Sequence, residues 1–200
     1  LKYRWFSHFT VKIIKFFYLD SVLLTNILAI SATVKAARRT TGNTKMSELE
    51  VPEGWTKLDN LGDVVAKLES GKRPSGGVNN ILKGIPSIGG EHLNYNGKFN
   101  LQNVKFVPTD FFKNMNRGKI NQNDILIVKD GATTGKTSFV DEKFPYDQAC
   151  VNEHVFILRT NGLIISKYLF YYIRSNFAQK KILEKTNGAI GGINTKFVKD

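Results

Sequence analysis

The sequence predicts an α+β fold, in which small, twisted and mostly antiparallel sheets with glycine hairpins carry one or two amphipathic helices, preceded by an N-terminal helical segment. Beyond residue 50, short runs of β-forming residues alternate with glycine turns, a pattern typical of strands joined by hairpins. The clearest helical periodicity, over 166–185, comes only after most of these runs. An apolar fraction of 42% and a charged fraction of 23% indicate a globular protein with a packed core.

Residues 1–45 are predicted to form a separate helical and apolar segment with a linker. The stretch 11–34 is strongly apolar, but charged and polar residues interrupt the roughly 18 consecutive apolar residues that a membrane span needs. A secretory signal would carry its positive charges before its apolar core, whereas here the strongest basic cluster follows the core. Leu24, Ile27 and Leu28 keep the spacing of one helical face, so we favour an amphipathic helix that packs on a partner.

The polar stretch 40–47, rich in Thr, Asn, Gly and Lys, is the predicted linker. Met46 lies within it, and a start of translation there would make residues 1–45 an upstream extension. The main folded domain is therefore placed at residues 46–200.

The first half of this domain is predicted as short strands and turns. Residues 61–68 fit a helix or a strand equally well, because their periodicity does not decide. In chain order the predicted elements are a turn at 51–55, a strand at 55–58, a loop at 71–77, an apolar run at 85–88, a strand at 104–107 and a short helix at 111–114 capped by Thr109 and Asp110.

The second half contains the clearest predicted elements. Four consecutive β-formers at 125–128 predict a strand, and 137–140 is its expected hairpin partner across a glycine loop. The later elements are a strand at 151–159, a helix at 166–185 capped by Ser166 and stopped by Asn187 and Gly188, a glycine turn at 188–194 and a strand at 195–198.

Residues 131–137, Gly-Ala-Thr-Thr-Gly-Lys-Thr, come close to a nucleotide-binding P-loop but depart from it. That loop needs four residues between its first glycine and the Gly-Lys pair, and here there are three. Asp130 precedes the run and would repel phosphate, and a strand rather than a helix follows. The segment is therefore predicted to be a tight glycine hairpin with Lys136 at its tip.

The remaining sequence predicts neither catalytic residues nor a metal site. Cys150 is the only cysteine and is expected to be a buried structural thiol in a reducing compartment. The three histidines lack metal-binding spacing, and no nucleophile elbow or dinucleotide-binding glycine motif is present. A small nuclease or methyltransferase is the enzymatic alternative, which an assay with Mg²⁺ or S-adenosylmethionine would test.

The charge balance favours a polyanionic partner. A formal net charge of +12 fits either a nucleic acid or an anionic membrane surface. Arginine and lysine side chains reach guanine edges and phosphates, and asparagine and glutamine recognise adenine. The candidate DNA contacts, all in predicted loops, are Lys72, Arg73, Lys83, His92, Asn94, Lys98, Arg117, Lys119 and Lys136.

Residues 51–200 resemble one target-recognition domain of the specificity subunit of type I restriction-modification systems. The resemblance rests on the order of several short motifs over about 150 residues rather than on any one of them. These motifs are VPEGWTKLDNLGDVV, SGKRPSGG, GIPSIGGEHL, DILIVKDGATTGKTSFV, NEHVFILR, KYLFYYIRS and GAIGGINTKFVKD.

This resemblance implies a non-catalytic subunit that reads one half of a split double-stranded DNA site in the cytoplasm. Partner modification subunits, which use S-adenosylmethionine, would then methylate adenine, and an ATP-dependent restriction subunit would cut with Mg²⁺; we expect no cofactor on this chain and no membrane partner. We expect Arg73, Lys98, Arg117, Lys119 and Lys136 to carry the DNA contacts. The chain would stop before the C-terminal spacer helix, and residues 1–45 would be an extension or a spacer helix.

Two other functions stay open from the sequence. One is a basic domain that binds nucleic acid without sequence preference or that binds another protein. The other is an interaction protein anchored in a membrane through 11–34.

Overall fold

The computed structural model describes residues 9–11, 56–58, 60–184, 186 and 192–198. Two compact units divide the chain, residues 1–60 and residues 61–200. In the first unit, β1 (Phe9–Val11) pairs antiparallel with β2 (Thr56–Leu58), so the strand predicted over 55–58 is present. The predicted helix, linker and turn between these strands lie outside the described residues, except that Val11 is in a strand.

The second unit is an α+β domain, as the sequence predicts. Its strands are β3 (Val65–Ser70), β4 (Ile85–Ile88), β5 (Lys105–Val107), β6 (Ile125–Val128), β7 (Thr137–Phe139), β8 (Cys150–Val151) and β9 (Val155–Thr160). Its helices are α1 (Thr109–Lys113), α2 (Ser166–Ile173) and α3 (Asn176–Glu184), with 3₁₀ turns at Leu61–Asp63, Gly90–His92 and Thr195–Val198.

The larger sheet has four antiparallel strands in the order β3-β9-β6-β7. All four residues of β6 are apolar and fully buried, which explains why this strand lies inside the sheet rather than at its edge. Ile125 pairs with Phe139 of β7 on one side and with Leu158 of β9 on the other. The predicted hairpin of β6 and β7 is therefore confirmed.

The smaller sheet has three strands in the order β5-β4-β8. β4 pairs antiparallel with β5, but it pairs parallel with β8, where Ser87 faces Cys150. A parallel pair needs a long connection, and here the whole β6-β7 hairpin lies between the two strands in sequence. The sheets of this unit are thus mostly antiparallel, as predicted.

The two sheets enclose a shared hydrophobic core. It joins Ile88 and Val151 of the smaller sheet to Leu126, Val128 and Ile157 of the larger one. Buried apolar surface of this kind stabilises by roughly 25 cal/mol per Å². The core therefore fixes where the loops at the strand ends emerge.

Cys150 is fully buried in a second apolar cluster with Val107 and Met115. Burial raises the pKa of its thiol to about 11, so the reactive thiolate is disfavoured. The prediction of a structural thiol is confirmed.

The prediction of one continuous helix over 166–185 is wrong, because the chain forms two helices, α2 and α3, separated by a break at 174–175. Ser175 caps the second helix: its Oγ accepts a hydrogen bond from the Ala178 N–H at 3.2 Å, which competes with continuation of the first helix. Ser166 does not cap α2 but is its first residue, and its Oγ lies 2.9 Å from that of Thr160.

Three other predicted elements also differ in detail. Residues 195–198 form a 3₁₀ turn rather than a strand, and the strand predicted over 151–159 is two strands. Asn152 separates them, because its Oδ1 accepts a hydrogen bond from the His154 N–H at 2.9 Å and turns the chain. The short helix begins at Thr109, after Pro108, without the predicted side-chain cap.

The undecided stretch 61–68 is a 3₁₀ turn followed by the start of β3. In the described part of the chain, each helix is too short or too polar to cross a membrane.

Gly71→Ala tests how closely β3 and β8 approach. A Cβ at Gly71 would lie 1.6 Å from the carbonyl oxygen of Val151, which is backbone and cannot rotate away. We expect a loss of roughly 1–3 kcal/mol or more in the free energy of unfolding, measured by urea denaturation. Ser75→Ala, exposed in the same loop, is the control and should change stability little. Equal stability of the two variants would contradict the close approach.

Candidate nucleic-acid interface

Seven of the nine predicted DNA contacts lie in two surface patches. The Arg117 patch consists of Lys72, Arg73, Arg117 and Lys119. The Tyr95 patch consists of Asn94, Tyr95, Lys98, Lys136 and Arg174, of which Tyr95 and Arg174 were not among the predicted contacts. The other two predicted residues, Lys83 and His92, belong to neither patch.

Two glycines bring the loops of the Arg117 patch together. A Cβ at Gly118 would lie 2.5 Å from the Cα of Gly71, so the two backbones are in contact. Both loops are also bound to the β8 end: the Gly71 N–H donates to Asn152 O at 3.2 Å, and the Val151 N–H donates to Gly118 O at 2.9 Å. Residues 72–73 and 117–119 are thus held side by side.

A partly buried arginine fixes the base of this patch. Arg159 of β9 donates from Nε and Nη2 to the two oxygens of Asp124, at 2.7 and 2.8 Å. Its Nη1 donates to Glu69 Oε1 at 3.0 Å, and Nη2 also donates to the carbonyl of Lys119 at 2.7 Å. One guanidinium therefore ties β3, β9 and the loop 119–124 together.

The charges of this network support one another. The hydrogen bond to Asp124 raises the pKa of Arg159, so the guanidinium stays charged. Burial raises the pKa of Asp124, but its two-pronged bond to Arg159 favours the ionised carboxylate. Burial also opposes ionisation of Glu69, yet the hydrogen bonds from Lys67 and the Gly118 N–H, with the nearby positive charges, lower its pKa overall.

Some cations of the Arg117 patch are already engaged within the protein. Arg73 forms an ion pair with Glu153 at 3.0 Å. Lys119 donates to the carbonyl of Lys113 at 3.1 Å and lies 5.0 Å from the ring centre of Phe112. Arg117 is exposed and, among the described residues, no carboxylate oxygen lies within 4.0 Å of it.

The Tyr95 patch is a loop tip next to the β6-β7 hairpin. The loop closes on itself, because the Asn94 N–H donates to Lys98 O and the Gly97 N–H donates to Asn94 O, both at 3.0 Å. Lys136 Nζ lies 4.9 Å from the centre of the Tyr95 ring. Arg174, at the end of α2, donates from Nη2 to the carbonyl of Tyr95 at 3.1 Å.

The tight hairpin predicted at 131–137 is present, but Lys136 is not at its tip: it directly precedes β7, and its carbonyl accepts a hydrogen bond from the Val128 N–H at 2.9 Å. In this position Lys136 belongs to the Tyr95 patch. Gly131 and Gly135 have φ of +96° and +90°, which favour glycine. The Gly135 N–H donates to Val128 O at 2.9 Å, which closes the turn at the end of β6. The backbone amides of Gly135 and Lys136 are thus used inside the turn rather than left to bind phosphate.

The predicted DNA contact by His92 is corrected by the structure. The side chain is only 1% exposed, and its Nδ1 accepts a hydrogen bond from the Gly89 N–H at 2.8 Å. Burial lowers its pKa, with Lys105 acting in the same direction and Glu91 opposing. His92 therefore fastens the turn after β4. Lys83 is exposed in the loop before β4.

The sequence contained a signal for one of the two missed residues. Tyr95 lies between two asparagines in a glycine loop, a place where a large ring has little chance of burial. Arg174 gave no such signal, because on a continuous helix it reads as one of several solvated basic residues. Across the described part of the chain, no group of three or more His, Cys, Asp and Glu residues is placed to hold a metal ion.

Residues 52–200 match the family model of the type I restriction modification DNA specificity domain. The chain belongs to this family. The resemblance found in the sequence is therefore confirmed over nearly the same residues.

Solved structures support the fold of this specificity domain. A structure titled as the basis of complex assembly and conformational transition of the type I R-M system is 16% identical, with a TM-score of 0.54 over 90% of this chain. The HsdS subunit from Thermoanaerobacter tengcongensis is 15% identical, with a TM-score of 0.53 over the same share. The chain spans 45% and 42% of these two proteins, less than half of each. No curated protein sequence matches it.

Arg159→Met tests the buried network of the specificity domain. It leaves the carboxylate of Asp124 buried without its counter-charge, which should cost roughly 3–5 kcal/mol in the free energy of unfolding. Adding Asp124→Asn removes the orphan charge, so the double variant should recover part of the loss in urea denaturation. A double variant no more stable than the single one would contradict this assignment.

The lowered pKa of His92 predicts that the stability of the domain depends on pH. Because this pKa is lowered in the folded state, the contribution of His92 is fully present above the unfolded pKa of about 6.5 and is lost as pH falls through the folded pKa. We expect the free energy of unfolding to fall between pH 7 and pH 5. His92→Gln, whose side chain does not titrate, should flatten this part of the profile. Parallel profiles of wild type and variant would exclude the assignment.

Proposed function

We propose that the specificity domain reads one half-site of duplex DNA as the non-catalytic specificity subunit of a type I restriction-modification complex. The observation that carries the proposal is the family match over 52–200 together with two loop patches that collect the basic and amide side chains. Neighbouring subunits would then supply methylation of adenine and cleavage.

The loops are suited to this task because they project from a fixed core. The Arg117 patch offers an exposed arginine and lysine for phosphates and guanine edges. The Tyr95 patch adds the amide of Asn94, a side chain type that recognises adenine. Contacts to the DNA phosphates would position the domain on the duplex, and contacts to base edges would determine which sequence it prefers.

The partners and cofactors follow from the same proposal. We expect modification subunits with S-adenosylmethionine and a restriction subunit with ATP and Mg²⁺, all in the cytoplasm, with no cofactor on this chain and no membrane partner. The net charge of +12 favours one alternative, a domain that binds nucleic acid without sequence preference.

A selection from a random duplex-DNA pool with the full chain separates the two functions. A half-site reader should enrich one short, fixed sequence, and its affinity should fall with salt with a log–log slope of several units. Salt-sensitive binding with no enriched sequence would support the non-specific alternative. No binding at all would contradict both.

Arg117→Gln tests whether the Arg117 patch contacts phosphates. Loss of one phosphate contact should reduce the magnitude of the salt slope by about 0.9 and weaken binding to all duplexes alike. Lys180→Gln is the matched control, because Lys180 is exposed on α3 and lies 4.0 Å from Glu184. Equal slopes for both variants and the wild type would remove Arg117 from the interface.

A further inference from the structure

The tip of the Tyr95 patch is an exposed aromatic ring on a loop that is fixed in place. Tyr95 is 69% exposed. It lies in the loop between Leu93 and Phe99, two residues that pair as an antiparallel β-bridge. Ser138 of β7 donates its hydroxyl to Lys98 O at 2.9 Å, which binds the loop to the larger sheet. The ring is thus presented to solvent by a loop with little freedom to withdraw it.

Contacts with α2 also restrict the loop. Gly97 has a φ of +84°, and a Cβ there would lie 2.6 Å from Cζ of Phe170 and 2.9 Å from Cζ of Arg174. Arg174 lies 5.2 Å from the ring centre of Phe170 and donates to the Tyr95 carbonyl. A recognition element that is ordered before binding loses less entropy when it binds.

The charge around the ring fits a polyanion. The ammonium group of Lys136 lies over the Tyr95 ring, and the guanidinium of Arg174 donates to the Tyr95 carbonyl. Among the described residues, no carboxylate oxygen lies within 4.0 Å of Lys98, Lys136 or Arg174. An apolar ring with a hydroxyl group, flanked by unneutralised cations, matches base pairs flanked by phosphates.

We propose that Tyr95 is a specificity-determining residue that enters a groove of the bound duplex and contacts base edges, while Lys98, Lys136 and Arg174 contact the phosphates on either side. This inference rests on the proposed half-site recognition. The ring would pack on a thymine methyl group or an equivalent apolar edge, and the hydroxyl would donate to or accept from a base.

The two kinds of residue are expected to act differently. A neutral ring releases no counterions, so Tyr95 should affect discrimination between sequences and leave the salt slope unchanged. Lys98, which unlike Lys136 does not lie over the Tyr95 ring, should affect the salt slope and leave discrimination unchanged, because phosphates carry no sequence information.

The test measures the affinity of the full chain for the selected duplex and for a scrambled duplex, across a salt series. Tyr95→Ala should weaken binding to the selected duplex by about 5- to 150-fold, the discrimination typical of one base-contacting side chain. Its affinity for the scrambled duplex and both salt slopes should stay as in the wild type. Tyr95→Phe separates the hydroxyl group from the ring, and Lys98→Gln is the charge variant with the opposite expected pattern.

The outcomes are distinguishable. If the wild-type chain enriches no sequence, the proposed function itself fails. If it enriches a sequence but Tyr95→Ala discriminates as well as the wild type, or loses affinity equally for both duplexes, the inference is overturned and half-site recognition stands. An unchanged thermal unfolding midpoint of Tyr95→Ala is expected for so exposed a side chain. As an independent readout, photocrosslinking of 5-bromouracil at a thymine of the selected site should be lost in Tyr95→Ala.

Discussion

The candidate interface depends on the hydrogen bonds and ion pairs that the Arg159 guanidinium forms. This guanidinium neutralises two carboxylates from different parts of the chain, Asp124 and Glu69, and also binds the carbonyl of Lys119. β3 leads directly from this site into residues 71–73, and β6 leads from it into the hairpin that carries Lys136. One partly buried guanidinium therefore sets the starting points of loops in both patches. An ion pair of this kind adds little to stability compared with an apolar core, but its directional bonds define one arrangement of the loops.

The break between the helices has a comparable role for the Tyr95 patch. Arg174, the C-cap residue of α2, keeps helical backbone angles, and its side chain donates to the Tyr95 carbonyl. Gln179, in the first turns of α3, donates to Gly135 O at 3.0 Å and to Ile173 O at 2.8 Å. The side chains of Arg174 and Gln179 thus bind the helical end to the loop and to the hairpin. The helical region around Ser175 thus contacts two loop residues that are distant in sequence, Tyr95 and Gly135.

Much of the fold was predictable because local chemistry dominates there. The run at 125–128 and its glycine hairpin could form little else, and the order of short glycine motifs was enough to indicate the family. Pairings that depend on distant residues were not predictable: the parallel contact of β4 with β8, the ion network of Arg159 and the burial of His92 leave no periodic trace in the sequence. The patches were predicted in part. Charged residues in loops can be recognised in the sequence, but the residues that surround them in space cannot. His92 is an example. A polar residue after a glycine turn has the same sequence pattern whether its side chain faces DNA or accepts a hydrogen bond within the turn.

The backbone contact between Gly71 and Gly118 has a consequence for how such a domain can change its target. The junction that aligns the two basic loops uses main-chain atoms and glycines, and it includes none of the side chains at 72, 73, 117 or 119. Substitutions at those four positions can therefore change the charge and shape of the loop surface while the backbone contact beneath them keeps its geometry. The architecture separates the backbone contact that must be preserved from the side chains that can vary. Under the proposed function, a single substitution in these loops could therefore change the preferred DNA sequence without refolding the domain.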